Sequence, residues 1–249
     1  MTELPNSRPV VLVTGAARRV GAAIARRLHA AGYDLALHCR NSRAELDALI
    51  DDLELQRVSS TLALQAELAE VEALPDLVND TIARFGRLDG LVNNASTFYP
   101  TPLQSVTTQQ WDELFASNAR APFFLAKAAA SHLRQRAGAI VNLLDIYAQR
   151  PLPGYSVYCM AKAAQAAMTA ALAHELGPQV RVNGIAPGAV MWPEAGNAYA
   201  SKDEIIARTP LQRAGTADDV AKAVLWLLRD ASFVTGQVVR VDGGRSLAI

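Results

Sequence analysis

Seven short runs rich in Val, Ile and Leu recur along the 249-residue chain, and amphipathic segments separate them. Most of these runs are apolar without polar alternation, which is typical of strands that are covered on both faces of a sheet. They lie at residues 10–13, 35–37, 61–64, 90–92, 139–144, 180–185 and 237–241. This arrangement predicts an α/β fold with a doubly wound, seven-stranded parallel sheet and helices on both faces.

The segments between the runs carry apolar residues at helical spacing, and Gly32 follows the first of them as a stop signal. We predict helices over residues 20–31, 44–55, 71–85, 110–133, 155–176 and 217–228. Because no repeat or linker interrupts this order, we expect one domain over residues 1–249, with residues 1–8 as a flexible tail. Residues 189–210, which include Trp192, are expected to form a substrate loop.

The charge balance and the cysteines exclude several classes of function. The 24 Lys and Arg residues equal the 24 Asp and Glu residues, so the chain lacks the basic excess of nucleic-acid-binding proteins. It has no signal-peptide pattern and no bilayer-spanning apolar stretch, so we expect a cytoplasmic protein without membrane contact. Cys39 and Cys159 have no spacing typical of a disulfide or zinc site, and we predict free thiols and no metal. The expected partner is a small molecule.

A glycine-containing turn at residues 14–21 follows the first predicted strand and opens the first predicted helix. Gly15 permits a tight turn there. The helix N-terminus offers unpaired backbone N–H groups and a positive dipole end to a pyrophosphate. This context predicts a dinucleotide site in a Rossmann-type domain.

The end of the second predicted strand indicates which dinucleotide binds. An acid there would hydrogen-bond the ribose 2′-hydroxyl of NAD and repel the extra phosphate of NADP, but residues 35–43 contain no acid. We therefore predict NADPH as the cofactor, with Glu67 beyond the third strand near the adenine. Arg18 is expected to converge on the same point as residues 38–42 and to give guanidinium and hydroxyl donors for the phosphate. The cofactor-binding residues predicted at this edge are Arg18, His38, Arg40, Asn41 and Ser42.

Tyr158 and Lys162 are four residues apart in a predicted helix, so their side chains lie on one face, one turn apart. A phenol has a pKa of about 10 and is a poor acid or base at neutral pH, but a nearby ammonium favours the phenolate. Hydride transfer needs such a proton partner. The pair is therefore predicted to carry the proton chemistry of a reductase.

Further motifs accompany this pair: Asn93-Asn94-Ala95, Asn118, Pro187-Gly188 and Val-Asp-Gly-Gly at 241–244. Together with the glycine turn they resemble the short-chain dehydrogenase/reductase family over nearly the whole chain. The resemblance implies that Asn118 supports a proton-relay water, that Lys162 orients the nicotinamide ribose, and that the protein is a homotetramer. The cofactor contacts so predicted are Gly15, Arg18, Arg19, Val20, His38, Arg40, Asn41, Ser42, Glu67, Asn93, Ala95, Ser96, Asn118, Tyr158, Lys162, Pro187 and Gly188.

Two positions depart from the general family pattern. Arg19 replaces the middle glycine of the turn, and Asp145 stands thirteen residues before Tyr158, where the family usually has a catalytic serine. These departures and residues 93–103 resemble the pteridine reductase branch, in which the residue matching Phe98 stacks on the pterin ring. The resemblance implies catalytic roles for Asp145, Tyr158 and Lys162. The substrate contacts predicted are Arg19, Ser96, Phe98, Asp145, Tyr158 and Trp192.

Three functions remain open at this stage. The first is reduction of a pterin or folate such as dihydrobiopterin, dihydromonapterin or dihydrofolate. The second is reduction of ketones or ketoacyl thioesters, against which the missing serine argues. The third is a non-catalytic NADP-binding sensor or scaffold, which would have little reason to keep both Tyr158 and Lys162.

Overall fold

The computed structural model describes residues 8–191 and 202–248. Seven parallel strands form one sheet in the order β3-β2-β1-β4-β5-β6-β7, which confirms the doubly wound sheet and its strand number. Leu12 at the centre of β1 pairs with Ala36 of β2 on one side and Leu91 of β4 on the other. The strands are β1 (Val10–Val13), β2 (Asp34–Cys39), β3 (Thr61–Gln65), β4 (Gly90–Asn93), β5 (Ala139–Leu143), β6 (Arg181–Pro187) and β7 (Val238–Val241).

Helices cover both faces of the sheet, as predicted. Alternate residues of β1 enter two separate cores: Val11 and Val13 pack under α1 and α8, whereas Val10 and Leu12 pack under α3, α5 and α6. Since side chains alternate across a strand, burial on both faces favours apolar residues at every position, as in β1. The helices are α1 (Arg19–Ala30), α2 (Arg43–Gln56), α3 (Leu74–Phe85), α4 (Thr108–Phe115), α5 (Ala121–Arg134), α6 (Ser156–Leu176), α7 (Lys202–Arg208) and α8 (Ala217–Arg229).

The helix predicted over residues 110–133 is not regular. It begins earlier, where Thr107 and Gln110 form a capping box, and a π-helical turn at Ala116–Arg120 separates α4 from α5. Pro122 lies in the first turn of α5 and has no N–H to donate to the carbonyl four residues before it, at Asn118. The wider turn therefore carries Asn118, as π-turns often do at functional sites.

The segment predicted as a helix over residues 71–85 starts with a 3-10 turn, Val71–Ala73, before α3 begins. The predicted tail lies outside the described residues except for Arg8, and so do residues 192–201 of the predicted substrate loop. Within the described ranges, none of the helices is long and apolar enough to cross a membrane.

The direction of the strand order reverses between β1 and β4, since β2 and β3 lie on one side of β1 and β5 to β7 lie beyond β4. In open parallel sheets a crevice forms at such a reversal, at the carboxyl ends of the strands. The segments that follow β1, β4, β5 and β6 all begin at this edge, and they carry most of the predicted site residues.

Candidate active site

Asp145 and Tyr158 meet at this edge of the sheet. The Tyr158 hydroxyl donates a 2.9 Å hydrogen bond to Oδ2 of Asp145, although the two residues belong to different elements. Asp145 follows β5, and Tyr158 lies in the first turn of α6 with only 4% of its surface exposed. The ring centre of Tyr158 is 5.9 Å from Nζ of Lys162. The structure therefore brings the three predicted catalytic residues together.

The Asp145 carboxyl has a second fixed partner. It caps the short 3-10 helix Ile146–Ala148, where its Oδ1 accepts a 2.9 Å hydrogen bond from the Tyr147 N–H. Removal of the carboxyl from water raises its pKa to about 6, despite the opposing effects of the Tyr147 N–H, the Tyr158 hydroxyl and the charges of Lys162 and Arg245. This carboxyl can therefore change its protonation state close to neutral pH.

Lys162 is 1% exposed, and its ammonium is held inside the protein. Nζ donates to the carbonyl oxygen of Leu143 at 2.7 Å and to Oε1 of Gln165 at 3.2 Å. Burial lowers the pKa of Lys162 to about 8, and the charge of Asp145 opposes this shift. A lysine with such a pKa is still mostly charged at neutral pH, so it can stabilise negative charge on a neighbouring group.

Phe98 lies in the segment after β4 and closes one side of the cleft with two tyrosines. Its ring stacks on Tyr155 with centroids 4.7 Å apart and meets Tyr158 edge to face at 4.8 Å. Tyr155 was not among the predicted site residues. Its only signal in the sequence is its position three residues before Tyr158, which puts both rings on one side of the start of α6.

The π-helical turn fixes the loop that carries Ser96 and Phe98. The Asn118 side chain donates to the carbonyl oxygens of Thr97 and Leu114, both at 3.0 Å. Its Oδ1 accepts a 2.7 Å hydrogen bond from the Ser96 hydroxyl. Asn118 thus ties the segment after β4 to the helix beside the cleft.

The glycine turn is packed so closely that side chains would not fit at two of its positions. Gly15 has a φ of +62°, and a Cβ there would lie 2.9 Å from Cα of Ala95. A Cβ on Gly21 would lie 2.1 Å from the Gly15 carbonyl oxygen and 2.7 Å from Nδ2 of Asn94. That amide nitrogen donates to the carbonyl oxygens of Thr14 and Gly15 at 2.8 and 2.9 Å. Asn94 therefore ties the turn after β1 to the end of β4.

The start of α1 fits the pyrophosphate of a dinucleotide. Arg18 precedes the helix without a side-chain capping bond, and the first turn contains no acid. Arg19 takes the left-handed conformation, with φ +55°, at the position where the family usually has a glycine. With no side-chain cap from Arg18 and no acid in its first turn, the positive end of α1 suits an anion.

Comparison with known proteins agrees with this geometry. The family model described as enoyl-(acyl carrier protein) reductase, which represents short-chain dehydrogenases and reductases, matches residues 15–246. The chain belongs to the short-chain dehydrogenase/reductase family. It is 38% identical to pteridine reductase 1 of Leishmania tarentolae, with 99% of each chain covered. It is 34% identical to the 3-oxoacyl-(acyl-carrier-protein) reductase FabG of Staphylococcus epidermidis, with 94% of this chain and 97% of that protein covered.

In this member of the short-chain dehydrogenase/reductase family, His38 has a different place from the one predicted. It lies inside β2, 1% exposed, because the strand extends to Cys39. Its Nδ1 accepts from the Gly15 N–H at 3.3 Å, and its Nε2 lies 3.1 Å from the Ala66 carbonyl oxygen. Both ring nitrogens are engaged within the fold, and a contact of His38 with the cofactor stays a prediction. Through its hydrogen bond with the Gly15 N–H, His38 supports the glycine turn.

The other predicted phosphate contacts lie at the surface beyond β2. Arg18 is 3.8 Å from Glu45, and Arg40 is 3.5 Å from Glu67, with about half of each arginine side chain exposed. Asn41 and Ser42 connect β2 to α2 next to them. These positions keep two guanidinium groups at the edge where an NADP phosphate is predicted, and they put Glu67 at the same edge.

Pro187 ends β6, and Gly188 follows it at the far side of the cleft. The Gly188 N–H donates to the Val241 carbonyl oxygen at 3.1 Å, and a Cβ on Gly188 would lie 2.7 Å from Cβ of Asp242. Glycine is therefore required here by the close approach of the segment after β7. The contact of these two residues with the cofactor stays a prediction.

Buried Asn93 and Asn142 join β4 to β5 beneath the cleft by a 2.8 Å hydrogen bond. Arg245, 7% exposed, also approaches the site from the C-terminal segment, with its Nη2 3.4 Å from the Tyr147 hydroxyl. Neither Arg245 nor Gln165 was predicted, because no motif marks them.

Trp192, a predicted substrate contact, lies outside the described residues. Across residues 8–191 and 202–248, no three His, Cys, Asp or Glu side chains come together as a metal site would require.

Proposed function

We propose that this short-chain oxidoreductase uses NADPH to reduce a pterin or folate in the dihydro form to the tetrahydro form. The observation that carries the proposal is the Asp145 carboxyl at 2.9 Å from the Tyr158 hydroxyl, where the family usually has a serine. A serine hydroxyl hydrogen-bonds to a carbonyl oxygen but does not titrate near neutral pH. A carboxyl with a pKa of about 6 can supply or accept a proton at a ring nitrogen.

The aromatic side chains suit a flat heterocycle. Phe98 is half-buried at the cleft, and Tyr155 supports one face of its ring. The opposite face of Phe98 is therefore the surface on which a pterin ring would stack, with its polar edge toward Asp145 and Tyr158. Similarity to pteridine reductase 1 of Leishmania tarentolae supports the same substrate class.

NADPH, when bound, supplies a hydride to a ring carbon of the substrate. The adjacent ring nitrogen then needs a proton, which the Tyr158 hydroxyl and the Asp145 carboxyl would deliver. Lys162 stabilises the negative charge that remains on these oxygens, because its ammonium is fixed 5.9 Å from the Tyr158 ring centre. Tyr158 and Lys162 are buried and Asp145 is partly buried, which limits the water that would otherwise screen these charges.

Several parts of the proposal concern cofactor choice and assembly. NADPH is favoured over NADH because Arg18 and Arg40 flank the edge beyond β2 and no acid occurs in residues 35–43.

A homotetramer is supported by family membership and by Trp111, Phe123 and Met160 on α4, α5 and α6, each with about 42% of its surface exposed. Sedimentation analysis showing a stable monomer would contradict the tetramer.

Reduction of a ketoacyl thioester is the second candidate, because the chain is 34% identical to the FabG reductase of Staphylococcus epidermidis. The two functions make opposite demands on position 145. A ketone oxygen needs a neutral hydrogen-bond donor, which serine provides at any pH, whereas Asp145 donates only when protonated. We therefore expect the Asp145→Ser variant to lose pterin reduction by about a hundredfold or more while gaining or keeping ketone reduction.

The test is a panel assay that follows the absorbance of the reduced nicotinamide. Purified wild type and Asp145→Ser are each given NADPH or NADH with dihydrobiopterin, dihydromonapterin, dihydrofolate or a ketoacyl thioester. Turnover of a dihydropterin or dihydrofolate by the wild type alone is the expected result. Turnover of only the thioester would overturn the pterin assignment, and NADPH binding without turnover of any substrate would favour a sensor.

A further inference from the structure

Gln165 is a buried polar residue for which the mechanism above gives no role. It lies in α6, one turn beyond Lys162, and is 1% exposed. Burial of an amide side chain costs free energy unless the amide is hydrogen-bonded, so an apolar residue would suit this position better on packing grounds alone. Its side-chain oxygen lies 3.2 Å from Nζ of Lys162.

The chemistry of the two groups fixes how they interact. An ammonium has three N–H donors and no acceptor, so only the amide oxygen of Gln165 can face it. The second acceptor is the Leu143 carbonyl oxygen, 2.7 Å from Nζ and located at the end of β5. The ammonium is thus held between the backbone of a strand and a side chain of its own helix. Hydrogen bonds to a charged donor are stronger than those between neutral groups.

We propose that Gln165 is a positioning residue: its side-chain oxygen holds the Lys162 ammonium against the Leu143 carbonyl and stabilises its charged form. An apolar side chain at position 165 would remove one of two acceptors from an ammonium that is shielded from water. The lysine would then lose its proton more readily and would be free to change rotamer. The kinetic consequence rests on the proposed reductase function, but the effect on protonation does not.

The other charges around Lys162 set the range in which Gln165 acts. Burial lowers the pKa of Lys162 by more than the charge of Asp145, after β5, raises it, so that the pKa is about 8. Tyr158 lies on the same helix with its ring centre 5.9 Å away, and Arg245 from the C-terminal segment acts on Asp145. Because the pKa of Lys162 already lies near neutrality, loss of a stabilising acceptor would bring its titration into the working range of the enzyme.

Thr169 offers a matched control on the same helix. Its hydroxyl donates to the Gln165 backbone carbonyl oxygen at 2.9 Å and accepts from the Asn142 amide at 2.9 Å, and the residue is fully buried. Thr169→Val therefore removes buried hydrogen bonds next to Gln165 without touching Lys162. A general loosening of α6 would affect this variant as much as Gln165→Leu.

The test is an NMR titration of lysine labelled with ¹³C at Cε, which is practical because the chain has only four lysines. Relative to the wild type, the Lys162 midpoint should fall by about one pH unit in Gln165→Leu, equivalent to about 1.4 kcal/mol. It should rise in Gln165→Glu, where a carboxylate replaces the amide, and stay unchanged in Thr169→Val. A midpoint within 0.2 of a pH unit of the wild type, in either position-165 variant, would overturn the proposal.

Kinetics provide the second readout. With the dihydropterin that the wild type reduces, the alkaline fall of kcat/KM should move to lower pH in Gln165→Leu and to higher pH in Gln165→Glu. An unchanged profile in both variants would contradict a positioning role. Absence of pterin turnover in the wild type would instead overturn the proposed function, and the NMR midpoints would then decide the role of Gln165 by themselves.

Discussion

The raised pKa of Asp145 predicts an unusual pH dependence of stability. In the unfolded chain this carboxyl has an ordinary pKa of 3.8, and in the folded protein its pKa is about 6. A carboxyl that is harder to ionise in the folded state destabilises that state as soon as the unfolded chain can ionise. The native protein therefore loses stability as pH rises from about 4 to about 6, and the loss is constant above that.

The magnitude follows from the two pKa values. At about 1.4 kcal/mol for each pH unit, an increase from 3.8 to about 6 corresponds to about 3 kcal/mol above pH 6. At pH 5 about half of this cost is already present. Asp145→Asn removes the ionisation but keeps a side-chain oxygen for the Tyr147 N–H, so any hydrogen-bond loss is independent of pH.

The assay is urea unfolding of wild type and Asp145→Asn between pH 5 and pH 8, with Asp51→Asn on the exposed face of α2 as control. Relative to Asp145→Asn, the wild type should lose about 1.4 kcal/mol of unfolding free energy over this interval. The control variant should follow the wild type. Parallel pH dependences of wild type and Asp145→Asn would refute the argument that burial dominates the environment of this carboxyl.

Three further changes test the cofactor edge and the core. Arg40→Ala should lower the ratio of kcat/KM for NADPH to that for NADH about tenfold, because a charge-assisted phosphate contact is lost; an unchanged ratio would exclude Arg40 from the phosphate site. Gly188→Ala should cost about 1–3 kcal/mol in urea unfolding, since its Cβ would meet Asp242 at 2.7 Å. Arg57→Met should lower the free energy of unfolding by about 3 kcal/mol, because Arg57 lies 3.4 Å from the fully buried Asp34 carboxyl. A loss under 1 kcal/mol would indicate that Arg8 alone compensates the charge of Asp34.

The fold could be predicted from the sequence because a strand buried on both faces usually appears as an uninterrupted apolar run. The same rule explains why the second strand is predicted to end at Leu37, since His38 is polar yet lies fully inside β2. The apolar run stops at Leu37 and therefore predicts that the strand ends there. β2 nevertheless continues, because a polar side chain is tolerated inside a strand when it finds hydrogen-bond partners within the fold. His38 finds them at Gly15 and Ala66.

The site residues could be predicted from the sequence only where they share a helix, a strand or a motif. The spacing of Tyr158 and Lys162 predicts their proximity because both lie on α6. Gln165 lies on the same helix and Tyr155 immediately precedes it, but their roles depend on what faces them, namely the Lys162 ammonium and Phe98. The π-helical turn was also missed, since Pro122 is acceptable in the first turn of a helix and indicates a break only when the preceding residues are known to be helical.

Asp145 differs from a serine at the same position in its response to burial. A neutral hydroxyl buried beside Tyr158 would keep its protonation state, whereas burial moves the pKa of Asp145 upward to about 6 and that of Lys162 downward to about 8. Burial therefore brings an acid and a base toward neutrality from opposite sides, with the Tyr158 hydroxyl hydrogen-bonded to the acid. Such a pair can exchange a proton with a weakly basic ring nitrogen of the proposed pterin substrate. Under the proposed function, the replacement of serine by a carboxyl is a change of substrate chemistry rather than a neutral variation in a shared reductase site.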